Sequence, residues 1–572
     1  MIQSRTHNCN ELRIGNVGER VTLVGWFENM RKVSKNLGFV ILRDFYGTTQ
    51  LVVETEEMMN VMDSINKEST ISVEGVVRER SSKNTNLPTG EIEVVPDKIE
   101  ILGKCIYNAL PFEINQSKDA DENARLKYRY LDLRNPNMKK NIVMRSQIVA
   151  ELRQRMYALN FMEITTPILT CSSPEGARDY LVPARNHPGK FYALPQAPQQ
   201  FKQILMASGF DRYFQIAPCF RDEDARADRS PGEFYQLDFE MSFVTQEDVF
   251  KVGEEVLHDT FVKFAPEGSR ITETPFPIIS YKQAMLEFGC DKPDLRNPLR
   301  IMDVTEFFQR CTFKPFLGRT VRAIKVHAEM SKGFHEKLLS FATSLGMGGL
   351  GYLEVAEDMS YKGPIDKFIP GEMKGELAEM AGLSAGDTIF FIADKEDKAN
   401  YYAGHIRTEL GEKLDLIEKD AYRFCYVNDF PMFELDPETK QIGFTHNPFS
   451  MPQGGMDALN NQDPLEILAY QYDLVCNGYE CASGAVRNHD PEIMVKAFQM
   501  VGLGEEDVKA KFPAMYNAFT YGAPPHAGAA PGVDRLVMLL TGEESIREVI
   551  TFPMNKNAQD LMMGAPSCVD QK

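Results

Sequence analysis

Two segments far apart in the chain combine an arginine with acidic residues. The sequence FRDE at residues 220–223 precedes a polar loop, and GVDR occupies residues 532–535 near the C-terminus. The planar guanidinium group of arginine binds an oxyanion at two points, which suits phosphate and carboxylate chemistry. Each motif alone is a weak signal, because an arginine such as Arg221 more often forms a surface ion pair.

Elements of regular structure should position these motifs. Residues 233–240, EFYQLDFE, alternate between apolar and polar side chains, which predicts a strand. With the strand that carries Arg221, it would form an antiparallel hairpin around the polar loop. The segment 532–536 is typical of a strand end that opens onto a helix. Upstream of both, apolar side chains at spacings of three and four residues predict an amphipathic helix: Val149, Leu152, Met156 and Leu159.

The N-terminal part contains short β-type runs between Val21 and about Leu102, separated by turn residues. Five strands of this length predict a small barrel, and an OB-fold is the natural choice. Such barrels bind single-stranded nucleic acid through aromatic stacking and basic loops. The net charge of −19 does not exclude this ligand, because net charge averages over domains and local basic clusters remain.

The composition is that of a globular multidomain protein. The 572 residues exceed what one hydrophobic core supports, so we expect three or four domains. No stretch approaches the ~18 apolar residues of a membrane span, the first residues lack a secretory signal, and the cysteines show no paired framework. We therefore expect a cytoplasmic protein without a membrane partner. Cys476 and Cys481 lack a second pair that would complete a zinc site.

Changes of pattern divide the chain into five segments. Residues 1–107 hold the barrel, and the charge-rich residues 108–137 indicate a hinge whose basic side chains could lie against an RNA backbone. Residues 138–290 and 421–572 carry the chemical motifs. Between them, the sequence DKPDLRNP breaks the preceding pattern and begins a mixed α/β insertion, residues 291–420.

The combination and order of these motifs resembles the class II aminoacyl-tRNA synthetases. In that family a helix followed by a proline is motif 1, and residues 161–169 with Pro167 match it. Residues 220–240 match motif 2, and residues 532–535 match motif 3. The resemblance implies an α+β multidomain protein with an N-terminal OB-fold β-barrel, an antiparallel class II sheet flanked by helices, and an inserted α+β domain. It also implies a homodimer with motif 1 at the interface.

Within that class the sequence is similar to the bacterial aspartyl enzymes over nearly its whole length. Long matching segments include SPEGARDYLVP, KFYALPQAPQQFKQ, FRDEDARADR and YGAPPHAG. The resemblance implies activation of L-aspartate with ATP and Mg²⁺, followed by transfer to tRNA(Asp); whether tRNA(Asn) is also charged stays open. The alternatives are an asparaginyl or lysyl enzyme and a tRNA-binding paralogue without catalysis. Such a paralogue should have lost Arg221, Arg535 or the acidic pair Asp473 and Glu480, the candidate metal ligands, and this sequence keeps all of them.

The resemblance assigns residues to both small substrates. Arg221 and Arg535 are the catalytic candidates: Arg221 would contact the α-phosphate and the attacking carboxylate, while Arg535 would cover one face of adenine. The ATP site would comprise Arg221, Asp222, Glu223, Phe234, Glu480, Gly532, Val533, Asp534 and Arg535. The magnesium ligands would be Asp473 and Glu480. The L-aspartate site would comprise Glu175, Gln199, Lys202, Arg221, Asp238, His446 and Arg487.

Specificity is expected to come from Lys202 and Arg487, which would surround the side-chain carboxylate. Two desolvated cations would be left uncompensated by neutral asparagine, and breaking such a buried pairing costs roughly 3 to 5 kcal/mol. We therefore expect selectivity on the order of 10² to 10⁴ without an editing site. Three positions depart from the family pattern: Ala197 replaces a serine, Asn447 replaces one histidine of a pair, and Gly232 is an extra residue in the motif 2 loop.

The resemblance also assigns an anticodon surface on the barrel. Phe39 would stack on a base, Gln50 and Glu93 would read base edges, and three further residues would hold the backbone: Arg31, Arg78 and Asn84. The alternative for Phe39 is a place in the barrel core, because alternation puts every second strand residue inside.

Overall fold

The computed structural model describes residues 4–173 and 176–568, and its first unit, Met1–Ala120, is built on five strands. These are β1 (Arg20–Ser34), β2 (Leu37–Arg43), β3 (Thr48–Val53), β4 (Thr70–Glu79) and β5 (Ile92–Gly103), with helix α1 (Glu56–Asp63) between β3 and β4. They close into a barrel in the order β1-β2-β3-β5-β4. Val40 and Leu42 of β2 are fully buried, as alternation requires. The predicted five-stranded OB-type barrel is confirmed.

The second unit, Asp121–Lys572, contains the remaining elements. Its strands are β6 (Met162–Glu163), β7 (Leu181–Pro183), β8 (Phe191–Ala193), β9 (Arg212–Arg221), β10 (Gly232–Ser242), β11 (Arg270–Ile271), β12 (Ile278–Ser280), β13 (Ile301–Asp303), β14 (Thr320–His327), β15 (Gly351–Val355), β16 (Tyr361–Lys362), β17 (Asp387–Asp394), β18 (Ala421–Tyr422), β19 (Phe424–Asn428), β20 (Phe433–Leu435), β21 (Ile442–Phe444), β22 (Gln471–Cys476), β23 (Tyr479–Val486) and β24 (His526–Pro531).

Its helices are α2 (Glu122–Lys127), α3 (Arg129–Asp132), α4 (Pro136–Ala158), α5 (Gln199–Ala207), α6 (Gln246–Phe264), α7 (Tyr281–Phe288), α8 (Thr305–Gln309), α9 (Lys332–Ser344), α10 (Gly371–Ala381), α11 (Glu396–Lys413), α12 (Gly455–Asn461), α13 (Pro491–Met500), α14 (Glu505–Lys511), α15 (Pro513–Thr520) and α16 (Val533–Thr541). Within the described ranges, no helix has the length and apolar character needed to cross a membrane.

An eight-stranded sheet forms the centre of this unit, in the order β12-β19-β22-β23-β24-β10-β9-β6. Neighbouring strands are antiparallel except at the two edges, where β12 pairs with β19 and β6 pairs with β9 in parallel. The predicted hairpin is confirmed as β9 and β10, and the predicted transition from strand to helix is confirmed as β24 followed by α16. The class II type of antiparallel sheet is therefore present.

Helices α4, α6 and α16 cover one face of the sheet. The predicted stripe on α4 is buried there, with Leu152 and Met156 fully enclosed among side chains such as Leu257 and Leu536. Residues three and four apart lie on one face of a helix, and on α4 this is the face that packs against the sheet. The opposite face of the sheet is left for polar side chains.

The segment after α7 builds a second, antiparallel sheet in the order β13-β14-β17-β15-β16. Its two faces are covered by separate apolar clusters, one around Phe308 and Phe391 and the other around Phe390 and Ile406. The segment therefore has its own core, as expected for an inserted α+β element.

Two arginines in the charge-rich segment before α4 are structural. Arg125 donates to Glu548 at 2.8 Å, and Arg129 donates to the carbonyl oxygens of Ile550 and Thr551. Both guanidinium groups are buried. The interpretation that basic side chains of this segment lie against RNA is therefore wrong for Arg125 and Arg129, because they anchor α2 and α3 to the C-terminal part of the chain.

Candidate active site

A cavity of about 430 Å³ opens on the face of the central sheet that the helices leave free. Strands β9, β10, β22 and β23, helix α5 and the loop after β21 supply its walls. Six of the seven residues predicted to bind L-aspartate line this cavity: Gln199, Lys202, Arg221, Asp238, His446 and Arg487. The seventh, Glu175, lies outside the described residues. Residues from five distant parts of the sequence are thus brought together.

Four buried charges form a network at this cavity. Lys202 lies 2.7 Å from Asp238 and 3.5 Å from Glu240, and Arg487 donates to Glu240 at 2.9 and 3.3 Å. Burial alone would raise the pKa of Glu240, but the charges of Arg487 and Lys202 outweigh it and hold that pKa below its ordinary value. All four side chains are almost inaccessible to solvent.

This network corrects the expected basis of specificity. Lys202 and Arg487 are not two uncompensated cations, because each already pairs with a buried carboxylate. Glu240 was missing from the predicted site. Its position two residues after Asp238 on an alternating strand places both carboxylates on the same face, and that signal could have identified it.

One oxygen in this network has no donor. The Oδ1 atom of Asp238 accepts from Lys202, whereas its Oδ2 atom is buried without a hydrogen-bond partner among residues 4–173 and 176–568. A buried carboxylate oxygen in this state is costly, and either the nearby hydroxyl of Tyr213 or a donor from a bound molecule would satisfy it.

A second cavity of about 90 Å³ adjoins the first. Arg221, Glu223 and Glu480 line both cavities, and several predicted ATP residues line the second: Phe234, Gly532, Asp534 and Arg535. Asp222 and Val533 lie outside both walls. Asp222 is half-buried and pairs with Arg178 at 3.4 Å, and Val533 is fully buried at the start of α16.

The two predicted catalytic arginines are both held by protein contacts. The guanidinium carbon of Arg221 lies 4.9 Å from the centre of the Phe234 ring, and its Nε donates to the carbonyl oxygen of Gln196. Arg535 donates to the carbonyl oxygens of Glu480 at 2.8 Å and Asp228 at 3.2 Å. Both arginines therefore line the wall of the smaller cavity.

The acidic pair predicted to bind magnesium lies on β22 and β23. Asp473 is buried, and burial followed by the charge of Glu480 raises its pKa well above the ordinary value. A third group, Lys292, places its Nζ 3.5 Å from Glu480. Burial opposes the charge of Lys292, but the carboxylates of Glu480, Asp473 and Asp291 outweigh this effect and raise its pKa.

This donor set fits a magnesium ion. Asp473 and Glu480 offer oxygen ligands beside the cavity, and a hard divalent cation would offset the repulsion between these two carboxylates. Mg²⁺ is commonly held by one or two carboxylates while ATP phosphates complete its shell. Lys292 was not predicted, because nothing in its local sequence links it to this pair.

His446 is exposed at the mouth of the larger cavity. Partial desolvation by the surrounding protein, followed by the nearby charge of Lys292, lowers its pKa. This lowering of the pKa favours the neutral form of His446. Of the positions that depart from the family pattern, Ala197 and Asn447 line this cavity. Gly232 pairs with Arg221 at the loop end of the hairpin and has a φ of 86°, which favours glycine.

The barrel holds all six predicted anticodon residues. Phe39 is half-buried on the outer face of β2, with the guanidinium carbon of Arg31 4.8 Å from its ring centre. The alternative that places Phe39 in the core is therefore wrong. Glu93 accepts from Arg78 at 2.8 Å and from Gln50 at 3.1 Å.

Two further polar residues belong to this surface. Asn84 lies in the loop between β4 and β5, where its side chain accepts from the backbone of Asn86. Arg80, which was not predicted, donates to Gln50 at 2.9 Å. Hydrogen bonds thus link Gln50, Arg78, Arg80 and Glu93 to one another.

Comparison with known families gives two matches. Residues 121–556 match the model for tRNA synthetases class II (D, K and N), and residues 21–102 match the OB-fold nucleic acid binding domain. Among curated proteins, the chain is similar to "Aspartate--tRNA(Asp/Asn) ligase" of Rickettsia conorii, with 54% identity over 100% of this chain and 97% of that protein. The protein of the same name from Gluconobacter oxydans is 54% identical over 99% of this chain and 96% of its own length.

Solved structures show the same fold at low identity. The asparaginyl-tRNA synthetase from Pyrococcus horikoshii, complexed with asparaginyl-adenylate, has a TM-score of 0.58 at 20% identity and covers 97% of this chain and 98% of its own. The aspartyl tRNA synthetase from Entamoeba histolytica has a TM-score of 0.56 at 19% identity, covering 94% and 89%. With an N-terminal OB-fold, a class II sheet and curated relatives similar over the full length, the chain belongs to the class II tRNA synthetases, in the group of the aspartate–tRNA ligases.

Proposed function

We propose that this chain joins L-aspartate to ATP, releases pyrophosphate, and transfers the aspartyl group from aspartyl-adenylate to the 3′ end of tRNA(Asp) and of tRNA(Asn). The observation that carries the proposal is the position of Arg221 in the wall common to both cavities. A side chain there can contact an amino acid on one side and a nucleotide on the other.

Arg221 addresses the main barrier to the first step. An oxygen of the aspartate α-carboxylate attacks the α-phosphorus, and the bond from that phosphorus to the pyrophosphate oxygen breaks. Two anions must approach each other, and charges about 4 Å apart interact by roughly 4 kcal/mol at an effective dielectric constant near 20. A guanidinium group that contacts both anions offsets this repulsion and stabilises the charge that develops on the phosphoryl oxygens.

The other groups serve binding. Phe234 and Arg535 would hold the two faces of adenine, with Glu223 beside it. Asp473 and Glu480 would hold Mg²⁺, which when bound neutralises phosphate charge and fixes the phosphates in place. No serine or cysteine nucleophile is needed, because positioning and electrostatics carry the reaction.

The larger cavity matches the functional groups of aspartate. Lys202 and Arg487 would contact the side-chain carboxylate, and Oδ2 of Asp238 would accept a hydrogen bond from the ammonium group. Gln199, His446 and Glu175 would complete the ammonium end. With Lys202 and Arg487 already paired, selectivity against asparagine depends on the hydrogen-bond donors that they offer a carboxylate as well as on their charge.

The barrel and two further properties complete the proposal. The stacked pair Arg31 and Phe39 would contact anticodon bases, and the relatives named for tRNA(Asp/Asn) support a barrel that accepts both tRNAs.

We place the enzyme in the cytoplasm. We also propose a homodimer through motif 1, because Pro167, Ile168 and Leu169 are exposed on the single chain.

Pyrophosphate exchange tests the proposal directly. Exchange that depends on ATP, Mg²⁺ and L-aspartate is expected, whereas exchange with asparagine or lysine would indicate the asparaginyl or lysyl alternatives. Absence of exchange with every amino acid would indicate a tRNA-binding paralogue. Aspartylation of purified tRNA(Asp) and tRNA(Asn), compared side by side, tests the tRNA range, and sedimentation velocity tests the dimer.

A further inference from the structure

Four polar side chains beside the larger cavity form one chain of hydrogen bonds. Nδ2 of Asn447 donates to Oε1 of Gln199 at 3.3 Å, and Nε2 of Gln199 donates to Oε1 of Gln203 at 2.8 Å. Nε2 of Gln203 lies 3.0 Å from Nε2 of His526, whose Nδ1 lies 2.8 Å from the carbonyl oxygen of Pro524. Gln199, Gln203 and His526 are at most 4% exposed, so water does not replace these partners.

His526, at one end of this series of hydrogen bonds, determines which group donates in each of them. The carbonyl oxygen of Pro524 can only accept, so Nδ1 of His526 carries a proton. Burial lowers the pKa of His526 to about 4, which leaves Nε2 bare at neutral pH. Gln203 must therefore present its amide nitrogen to His526, and the carbonyl oxygen of Asn488, 3.4 Å from the same nitrogen, requires the same orientation.

The other end imposes the same direction. The Oδ1 atom of Asn447 accepts the backbone N–H of Phe449 at 2.9 Å, which leaves its amide nitrogen to face Gln199. The amide of Gln199 is thus held between a donor and an acceptor, and its carbonyl oxygen lies on the side of Asn447. Both Gln199 and Asn447 line the cavity.

We propose that Asn447 and His526 are positioning residues that lock the amide of Gln199, so that its carbonyl oxygen accepts a hydrogen bond from the ammonium group of the amino acid. The proposal rests on the proposed function of this cavity. An amide oxygen has two lone pairs, and Asn447 uses one of them. A reversed amide would place N–H donors against the ammonium group and repel it.

Two variants of Asn447 separate this role from a general structural one. Asn447→Asp keeps the oxygen that accepts from Phe449 but replaces the donor toward Gln199 by an acceptor. Asn447→Ala removes the donor without adding charge. For each variant we would measure the KM for aspartate in pyrophosphate exchange and the inhibition constant of succinate, which has both carboxylates of aspartate and lacks the ammonium group.

The aspartate KM is expected to rise about 10-fold in Asn447→Asp and about 5-fold in Asn447→Ala, the size of one hydrogen bond. The succinate constant should stay within about two-fold in Asn447→Ala, since no donor to a carboxylate is lost. In Asn447→Asp, charge repulsion alone would weaken succinate, a dianion, more than aspartate. The proposal requires the opposite result, in which Asn447→Asp weakens the binding of aspartate more than that of succinate.

The results distinguish the proposed function from the positioning role of Asn447. A wild-type protein without aspartate-dependent exchange would contradict the proposed function itself. A wild-type protein that activates aspartate, with variants that bind succinate and aspartate equally poorly, would overturn the positioning role alone. If Asn447→Asp does not fold, as judged by thermal unfolding, the comparison in Asn447→Ala decides.

Discussion

The ammonium group of Lys292 lies 3.5 Å from the Oε2 atom of Glu480 and 2.8 Å from the Oδ2 atom of Asp291. Lys292 belongs to the segment that leads into the second sheet, whereas Glu480 belongs to the central sheet. A side chain from outside the central sheet thus supplies a cation to the acidic pair that would bind Mg²⁺. A divalent cation must compete with it for Glu480.

Replacing Lys292 by Met should therefore tighten metal binding in the absence of ATP. We expect the dissociation constant of Mn²⁺, measured by electron paramagnetic resonance, to fall about 10-fold, equivalent to about 1.4 kcal/mol. Lys282→Met removes an exposed lysine from the nearby helix α7 and serves as the control. Weaker Mn²⁺ binding in Lys292→Met than in the control would contradict the competition.

Asp473 should make the stability of the metal-free protein depend on pH. Its pKa in the folded state is raised, so the stability that it contributes is fully present below the ordinary pKa and is lost as pH rises through the raised value. Asn at this position cannot ionise, so Asp473→Asn should have the higher Tm at pH 9 without metal. Added Mg²⁺ should reduce this difference in Tm, because only the wild type has the carboxylate of Asp473 to bind the ion. A lower Tm of Asp473→Asn at every pH would contradict this account.

Arg487→Leu should impair both aspartate recognition and folding. The substitution leaves Glu240 buried with only Lys202 as a charged partner, and breaking such a pair costs roughly 3 to 5 kcal/mol. We expect kcat/KM for aspartate to fall on the order of 10² to 10⁴, with the KM for ATP little changed. Arg487→Lys retains the charge and should lose less of both stability and activity. Activity of Arg487→Leu within a few-fold of wild type would exclude Arg487 from the pocket.

Phe234→Leu tests the adenine site. Stacking of a base on an aromatic ring is worth about 1 to 3 kcal/mol, so the KM for ATP should rise roughly 5- to 150-fold. Phe234→Tyr keeps the ring and is the matched control. An unchanged KM for ATP in the leucine variant would show that adenine lies elsewhere.

Phe39→Ala tests the barrel surface. Because Phe39 lies on the outside of β2, its loss should leave the Tm nearly unchanged and raise the KM for tRNA about 10-fold, within the range of one stacked base. Val40→Ala, one residue along, creates a cavity in the core and should lower the Tm instead. Aspartate-dependent pyrophosphate exchange should be unaffected by Phe39→Ala. Equal loss of Tm in both variants would contradict the placement of Phe39.

The local patterns predicted the elements well. Alternation in residues 233–240 predicted β10, and the apolar spacing of Leu152 and Met156 predicted the buried face of α4. Each of these signals comes from neighbouring residues that share one face of one element. Family resemblance then assigned residues to the binding site for L-aspartate, and six of them line one cavity.

Long-range pairings were the part that the sequence did not reveal. Arg487 and Glu240 are 247 residues apart, and only the pairing of β23, β24 and β10 brings them together. The same limit applies to Lys292, which lies between α7 and β13, because its partner Glu480 lies on β23, far along the sequence. Consequently, the sequence identified Lys202, Arg487 and Asp238 of this site but not Glu240, the carboxylate that lies near both cations.

The stacking of Arg221 on Phe234 has a thermodynamic consequence for the order of substrate binding. If adenine takes the ring face that Arg221 now covers, the nucleotide releases this guanidinium toward the wall that both cavities share. Aspartate would then contact the guanidinium group of Arg221, which stacks on Phe234 when no nucleotide is bound. The two substrates should bind with positive cooperativity, and by reciprocity aspartate must raise the affinity for ATP by the same factor as ATP raises the affinity for aspartate.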